Sequence, residues 1–195
     1  VAENHPAAFV RRHKGLGVLR STLQEDRKDG QKIDGLYIYG PTGTGKTTFA
    51  VQYAKDLVAE GKYNAWYLQQ PKGNWFDGYD GEEILILNEI TGGLSESISY
   101  TTLLAMFDPY KMELAVKGSF TPLRAKLIIM TSNLHIDGVF RGEYNQGQLK
   151  RRMTKGIIEM KHKYVKDDDV DEFASVDDWK AGRAKPKPRR EEKKV

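Results

Sequence analysis

The sequence predicts an α/β domain with a central, mostly parallel sheet flanked by helices, and three observations carry that expectation. Short apolar runs alternate with amphipathic stretches: GLYIYG, then residues 47 to 60, then NAWYL, EILILNEI and AKLIIMTSN. Within them ILIL and LIIM are continuous rather than alternating, the pattern of strands covered on both faces, which places both in the sheet centre. A glycine-rich stretch, GPTGTGKTT at residues 40 to 48, joins the first apolar run to the first helix.

Taken in order, residues 1–32 set Phe9, Leu16 and Leu19 among basic side chains, as a surface helix would. After the strand in GLYIYG, Phe49, Tyr53 and Leu57 recur every four residues, so residues 47 to 60 read as a helix with one apolar face and Gly61 as its C-terminal stop. Trp66, Trp75 and Tyr79 are expected to pack between strands rather than stack on bases, and Lys72 lies nearer an edge, where it is able to touch phosphate. The patterned region ends near residue 165, giving a main domain over 33–165. Residues 166–195 pass from the acidic KDDDVDEFASVDDWK to a Lys-, Arg- and Pro-rich end with too few apolar side chains to offset the entropy of ordering, a charged, disordered tail. Lys185 to Arg190 within it also suit a nuclear-localisation or nucleic-acid patch.

The 195 residues are ample for one core, and with no cysteine the chain has no disulfide and no thiolate metal site, which fits an intracellular protein. No run approaches a membrane span and Val1 to Pro6 do not resemble a signal peptide, so no membrane partner is expected. A chain opening on Val1 is expected to be a piece of something longer. The net charge of +4 is a mild hint of a polyanionic partner.

The glycine-rich stretch fits G-x-x-x-x-G-K-[ST] and sits between a predicted strand and a helix, the context that motif requires. Gly40, Gly43 and Gly45 let backbone N–H groups turn onto phosphate oxygens, and the helix N-terminus adds partial positive charge. Residues Gly40, Pro41, Thr42, Gly43, Thr44, Gly45, Lys46, Thr47 and Thr48 are therefore expected to hold a nucleoside triphosphate, with Lys46 on the β and γ phosphates and the Thr47 hydroxyl on Mg²⁺. Hydrolysis needs a carboxylate at a neighbouring strand end, and ILILNEI supplies Glu89, with Asn88 where an aspartate is more usual. LIIMTSN ends in Asn133, whose amide is able to donate to a phosphate oxygen and accept from a water.

The order GPTGTGKTT, NWFDGYDGEE, ILILNEI, VKGSF, LIIMTSN and LKRRM resembles the superfamily 3 helicase domain of replication initiator (Rep) proteins of circular single-stranded DNA viruses, circoviruses and their relatives. The resemblance covers most of residues 3 to 162. It implies an AAA+-like P-loop NTPase that uses ATP and Mg²⁺, forms a hexameric ring around single-stranded DNA and unwinds duplex. It implies that residues 1–32 form an oligomerisation segment and that Glu89 is the Walker B carboxylate, with Asn88 and Thr47 beside the metal. Asn133 is then the motif C sensor, Lys117 and Gly118 the hairpin that tracks the DNA backbone, and Arg151 and Arg152 the arginine finger, with Arg152 favoured. A host-nuclear location follows from the same resemblance.

Two departures from the family pattern stand out. Full-length initiators carry an endonuclease with a His-hydrophobic-His motif and a Tyr-x-x-Lys nucleophile; neither occurs here, and His5, His13, His135 and His162 lack ligand spacing. The chain is thus expected to be the ATPase part of a larger protein whose endonuclease domain is its partner, and not to nick DNA itself. Asn88 also removes a negative charge near the metal, which predicts altered metal dependence rather than lost hydrolysis. Besides a helicase motor, the sequence admits a nucleotide-gated DNA-binding or assembly module with little turnover, or a small-molecule P-loop kinase. The VKGSF loop has no evident use in a kinase, whereas a motor needs a moving charged loop.

Overall fold

The computed structural model describes residues 26–69, 75–91, 98–140 and 146–161. In order these form β1 (Asp34–Tyr39), α1 (Lys46–Ala59), β2 (Trp66–Gln69), β3 (Ile84–Leu87), α2 (Tyr100–Met106), β4 (Glu113–Val116), β5 (Ser119–Pro122), β6 (Leu127–Ser132), α3 (Ile136–Val139), α4 (Gln146–Arg152) and β7 (Gly156–Glu159). Residues 1–25, Lys72, His162 and the tail from 166, including Lys185 to Arg190, lie outside the described residues.

A five-stranded sheet runs in the order β2-β3-β6-β1-β7, and every neighbouring pair is parallel. The continuous apolar runs occupy its interior: Ile84 to Leu87 and Leu127 to Met130 are wholly buried. Burying each such side chain contributes about 1.5–3 kcal/mol, against the backbone entropy of fixing the strand. β4 and β5 stand apart as a two-stranded antiparallel hairpin whose register pairs Val116 with Ser119 across Lys117 and Gly118.

Helix α1 forms where expected, but on a shifted face. Phe49, Ala50, Ala54 and Leu57 are buried, whereas Tyr53 is half-buried and stacks its ring on Phe49 with centroids 6.4 Å apart. The alanines place only methyl groups between this helix and the sheet beside Phe49 and Leu57, so the seam follows small residues as much as large ones. Gly61, at φ +71, ends the helix. The Gly61 amide bonds the Val58 carbonyl at 3.0 Å and the Lys62 amide bonds that of Leu57 at 3.1 Å, a Schellman closure that satisfies two terminal carbonyls.

The strand β7 has no counterpart among the sequence expectations. Its four residues are too short and mixed for periodicity to mark, and it is defined by parallel pairing with Leu36 to Tyr39 of β1. Tyr79 packs as expected, buried with its hydroxyl donating to the Glu82 carbonyl and accepting the Arg124 amide, both at 2.9 Å. Trp66 is half-buried, with the Lys55 ammonium 5.9 Å from its ring. Trp75 departs from the expected packing: it is 47% exposed, while its neighbour Phe76 enters the core. In an extended segment successive side chains point to opposite sides, and Phe76 takes the inner one.

Candidate nucleotide-binding and nucleic-acid sites

The strand order sets three loops side by side. β6 lies between β1 and β3, and all three are parallel, so the segments after Tyr39, Leu87 and Ser132 leave the same edge of the sheet. Parallel sheets bind ligands at this carboxyl edge.

The first segment turns at Gly40, where φ is +149 and any Cβ would collide with the Met160 carbonyl. Gly43 and Gly45 follow at φ +82 and +84, left-handed values that turn consecutive amides toward one concavity. Gly45 is the N-cap of α1 and offers no side-chain oxygen, so the first-turn amides stay open to an anion. Thr44 closes the loop internally, its hydroxyl donating to the Pro41 carbonyl at 2.9 Å.

Lys46, the first residue of α1, is buried, and its Nζ donates to the carbonyls of Gly40 and Pro41 at 2.9 Å and to Asn133 Oδ1 at 2.8 Å. Those three acceptors match the three protons of an ammonium. Burial lowers the Lys46 pKa from the usual lysine value, and the charge of Glu89 partly restores it.

The second segment presents Asn88 and Glu89. Asn88 Oδ1 accepts from the hydroxyls of Thr47 at 2.6 Å and Thr131 at 3.0 Å. Thr131 Oγ1 in turn accepts the Glu89 amide at 3.0 Å. Glu89 adopts φ +54, alone among the described non-glycine residues in being left-handed, and its exposed carboxylate has no hydrogen bond or ion pair among the described residues. A strained backbone of this kind costs on the order of 1–3 kcal/mol and is characteristic of functional positions. From the third segment Asn133 reaches Lys46, while Ser132 Oγ donates to the Ile90 carbonyl at 2.7 Å and ties the β6 end to that of β3.

The structure thus brings Lys46, Thr47, Asn88, Glu89 and Asn133 together at one edge. The left-handed glycines, the helix N-terminus and the buried ammonium fit a phosphate chain. The donor set of one hydroxyl, one amide and one carboxylate fits a divalent cation held partly through water. Thr131, which holds Asn88, was missed from sequence because it reads as one more strand residue.

Arg151 and Arg152 are not part of this cluster. The Arg152 backbone lies against Gly35, at the opposite end of β1 from Gly40 and about 16 Å away at the rise of a strand. Arg152 is ion-paired to Asp108 at 2.6 Å and donates to the Gln148 carbonyl at 3.0 Å, whereas Arg151 is exposed. A cavity of about 700 Å³ at that same far end is also separate from the cluster. Two ion pairs line it, Arg124 with Asp26 at 2.8 Å and Lys126 with Glu83, and the buried Arg27 guanidinium donates to the carbonyls of Ala125 at 3.0 Å and Met106 at 2.9 Å. His135 caps α3, its Nδ1 accepting the Asp137 amide at 3.3 Å, and so has a structural place.

Lys117 and Gly118 form the tip of the β4–β5 hairpin, with Gly118 at φ +77 and the Lys117 side chain 78% exposed. Phe120, three residues on, is 68% exposed, a position that sequence reasoning passed over because a phenylalanine in a strand reads as core.

With that geometry in view, comparison with known proteins is decisive. A family profile described as RNA helicase matches residues 36–134, which span every segment of the phosphate cradle. The chain belongs to the RNA helicase family. It is also similar to viral proteins named replication-associated protein. It is 33% identical to that of Porcine circovirus 2 over 133 residues, 68% of this chain and 39% of the relative. It is 30% identical to that of Goose circovirus over 158 residues (81% and 49%), and 32% identical to that of Beak and feather disease virus over 156 (80% and 48%). The chain spans about half, or less, of the length of these relatives. Membership of a helicase family implies nucleotide use, which is the use the cradle fits. No helix among the described residues is long and apolar enough to cross a membrane.

Proposed function

We propose that this chain is the ATP-driven DNA helicase motor of a viral rolling-circle replication initiator. The observation that carries the reading is the convergence of Lys46, Thr47, Asn88, Glu89 and Asn133 on one cradle within a helicase-family domain. When ATP binds, Lys46 exchanges the Gly40 and Pro41 carbonyls for oxygens of the β and γ phosphates, and the glycine-loop amides take the remaining charge. Asn133 accepts from Lys46 through Oδ1 and keeps its NH₂ for the γ-phosphate or the attacking water. The unpaired Glu89 carboxylate takes the proton of that water as its oxygen bonds to the γ-phosphorus and the bond to ADP breaks. The Thr47 hydroxyl, with Asn88 and Glu89 acting through water, would hold Mg²⁺, which would supply positive charge to the phosphate oxygens.

On this reading residues 33–165 are the motor, 1–32 the segment through which copies assemble into a hexameric ring, and 166–195 a charged tail. The arginine pair, remote from its own cradle, serves that of a neighbouring copy. Arg151 is the better candidate, because Arg152 is committed to Asp108. Lys117 and Gly118 contact the backbone of single-stranded DNA, the endonuclease domain of the full-length protein acts beside the motor, and the assembly works in the host nucleus.

A second reading, a nucleotide-gated DNA clamp with little turnover, is favoured by the bond from Thr47 to the uncharged Asn88. Steady-state ATP hydrolysis against Mg²⁺, with and without single-stranded DNA, separates the two. Turnover stimulated by DNA, abolished in Glu89→Gln and unstimulated in Lys117→Ala, supports the motor. ATP binding without turnover under every condition, with hydrolysis appearing in Asn88→Asp, supports the clamp.

A further inference from the structure

The hairpin tip already holds an anion. Asp77 Oδ1 accepts the Lys117 backbone amide at 2.7 Å, and Asp77 Oδ2 lies 3.5 Å from the Lys117 ammonium. A backbone N–H and an ammonium converging on paired oxygens at a glycine turn are the donor set that a phosphate diester engages. Asp77 is fixed to the body of the domain. Its carbonyl accepts the Tyr67 hydroxyl at 2.8 Å and the adjacent Phe76 is buried in the core, while the Phe76 amide, donating to the Ala115 carbonyl of β4 at 2.9 Å, seats the base of the hairpin against this segment. The carboxylate therefore belongs to the frame and the lysine to the hairpin.

The geometry points to Asp77 as an internal stand-in for a DNA phosphate. It aims the hairpin tip and occupies the tip's anion position until a strand displaces it. The inference rests on the hairpin reading given above and adds a positioning residue and a competitor to it. Displacement is feasible because the ion pair lies in water: the side chains of Lys117 and Asp77 are 78% and 43% exposed, a setting in which such pairs contribute little. The hydrogen bond from the Lys117 backbone amide to the Asp77 carboxylate, being charge-assisted, orients the tip before DNA arrives.

The test is equilibrium binding of a fluorescent oligothymidylate to the full chain across a salt series, in Asp77→Asn, Lys117→Ala and the double variant, with thermal melts to verify folding. Asp77→Asn keeps an acceptor for the Lys117 amide and removes the competing charge. It should tighten binding about two- to five-fold at low salt. It should also steepen the dependence of log K on log salt by up to about 0.7, one phosphate contact on a single strand. On the Lys117→Ala background the same substitution should change nothing, because Asp77 acts through Lys117. Binding by Asp77→Asn that is unchanged or weaker, while Lys117→Ala weakens it, overturns the inference and leaves the hairpin reading standing. An equal gain from Asp77→Asn with or without Lys117 also overturns it, as a general charge effect. Lys117→Ala binding like the parent chain overturns the hairpin reading and this inference with it.

Discussion

The Thr47 hydroxyl donates to Asn88 Oδ1 at 2.6 Å, so the side chain expected to ligand the metal is held by the residue that stands in for an acid. An amide holds the hydroxyl in place but brings no negative charge to the metal's surroundings. Restoring the charge in Asn88→Asp should lower the Mg²⁺ concentration for half-maximal hydrolysis by about tenfold, the usual scale for a group acting behind a metal ligand. A Mg²⁺ titration of turnover reads this directly, and an unshifted midpoint would remove Asn88 from the metal's surroundings.

The depressed pKa of Lys46 has consequences of opposite sign for binding and for stability. Burial favours its neutral form, and the neutral amine no longer offers a cation to phosphate. ATP affinity should therefore fall as pH rises toward 10.5, earlier than for an exposed lysine. Folding responds the other way. In that window the unfolded chain still holds the proton that the native state releases, so this group adds stability as pH rises. Nucleotide titrations by calorimetry at successive pH values, with Lys46→Ala as the reference, check the first. Thermal melts of both chains check the second.

Gly40 and Gly43 carry different burdens. Gly40→Ala places a methyl against the Met160 carbonyl and should cost stability on the order of 2–3 kcal/mol as well as nucleotide binding. Gly43→Ala meets no atom within 4 Å and bears only the left-handed strain of about 1–2 kcal/mol. Urea denaturation of the two variants should rank them in that order.

The two arginines of α4 should separate by assay. Arg152→Ala breaks the pair with Asp108 and should lower stability by about 0.2–1 kcal/mol. Arg151→Ala should leave the melting curve unchanged and lower turnover. When it is mixed with Lys46→Ala chains, some activity should return, since each variant supplies the part the other lacks. Failure of mixed chains to recover any activity would argue against a finger shared between copies.

Phe120 should matter to single-stranded nucleic acid and not to folding. Its ring is 68% exposed beside the hairpin tip, and stacking on a base is worth about 1–3 kcal/mol. Phe120→Ala should weaken oligothymidylate binding about 5- to 150-fold with an unchanged melt.

Much of the cradle was legible because its chemistry is local. Gly40 to Thr47 are contiguous, and the strand-to-helix context that gives them meaning is written in the apolar runs on either side. Asn88, Glu89 and Asn133 were legible as strand ends, because the continuous runs before them mark interior strands. What the sequence could not show was set by contacts between distant segments. Thr131 matters only because β6 lies beside β3; β7 exists only through its pairing with β1; and Asp77 meets Lys117 across forty positions. The buried face of α1 moved from Tyr53 to the alanines for a related reason: periodicity ranks residues by hydrophobicity, whereas a helix seated on a flat sheet selects for closeness.

The strand order also dictates when the domain can assemble during its own synthesis. β1 carries the cradle, yet its first partner, β6, begins 93 residues later and its second, β7, lies at Gly156 to Glu159. At about 5–20 residues per second the ribosome needs roughly 5–20 s to deliver β6. Throughout that interval an apolar strand with both edges unpaired waits beside the exit tunnel. A nascent chain halted between residues 60 and 120 should therefore be a chaperone client, and its release from that chaperone should coincide with the emergence of LIIM.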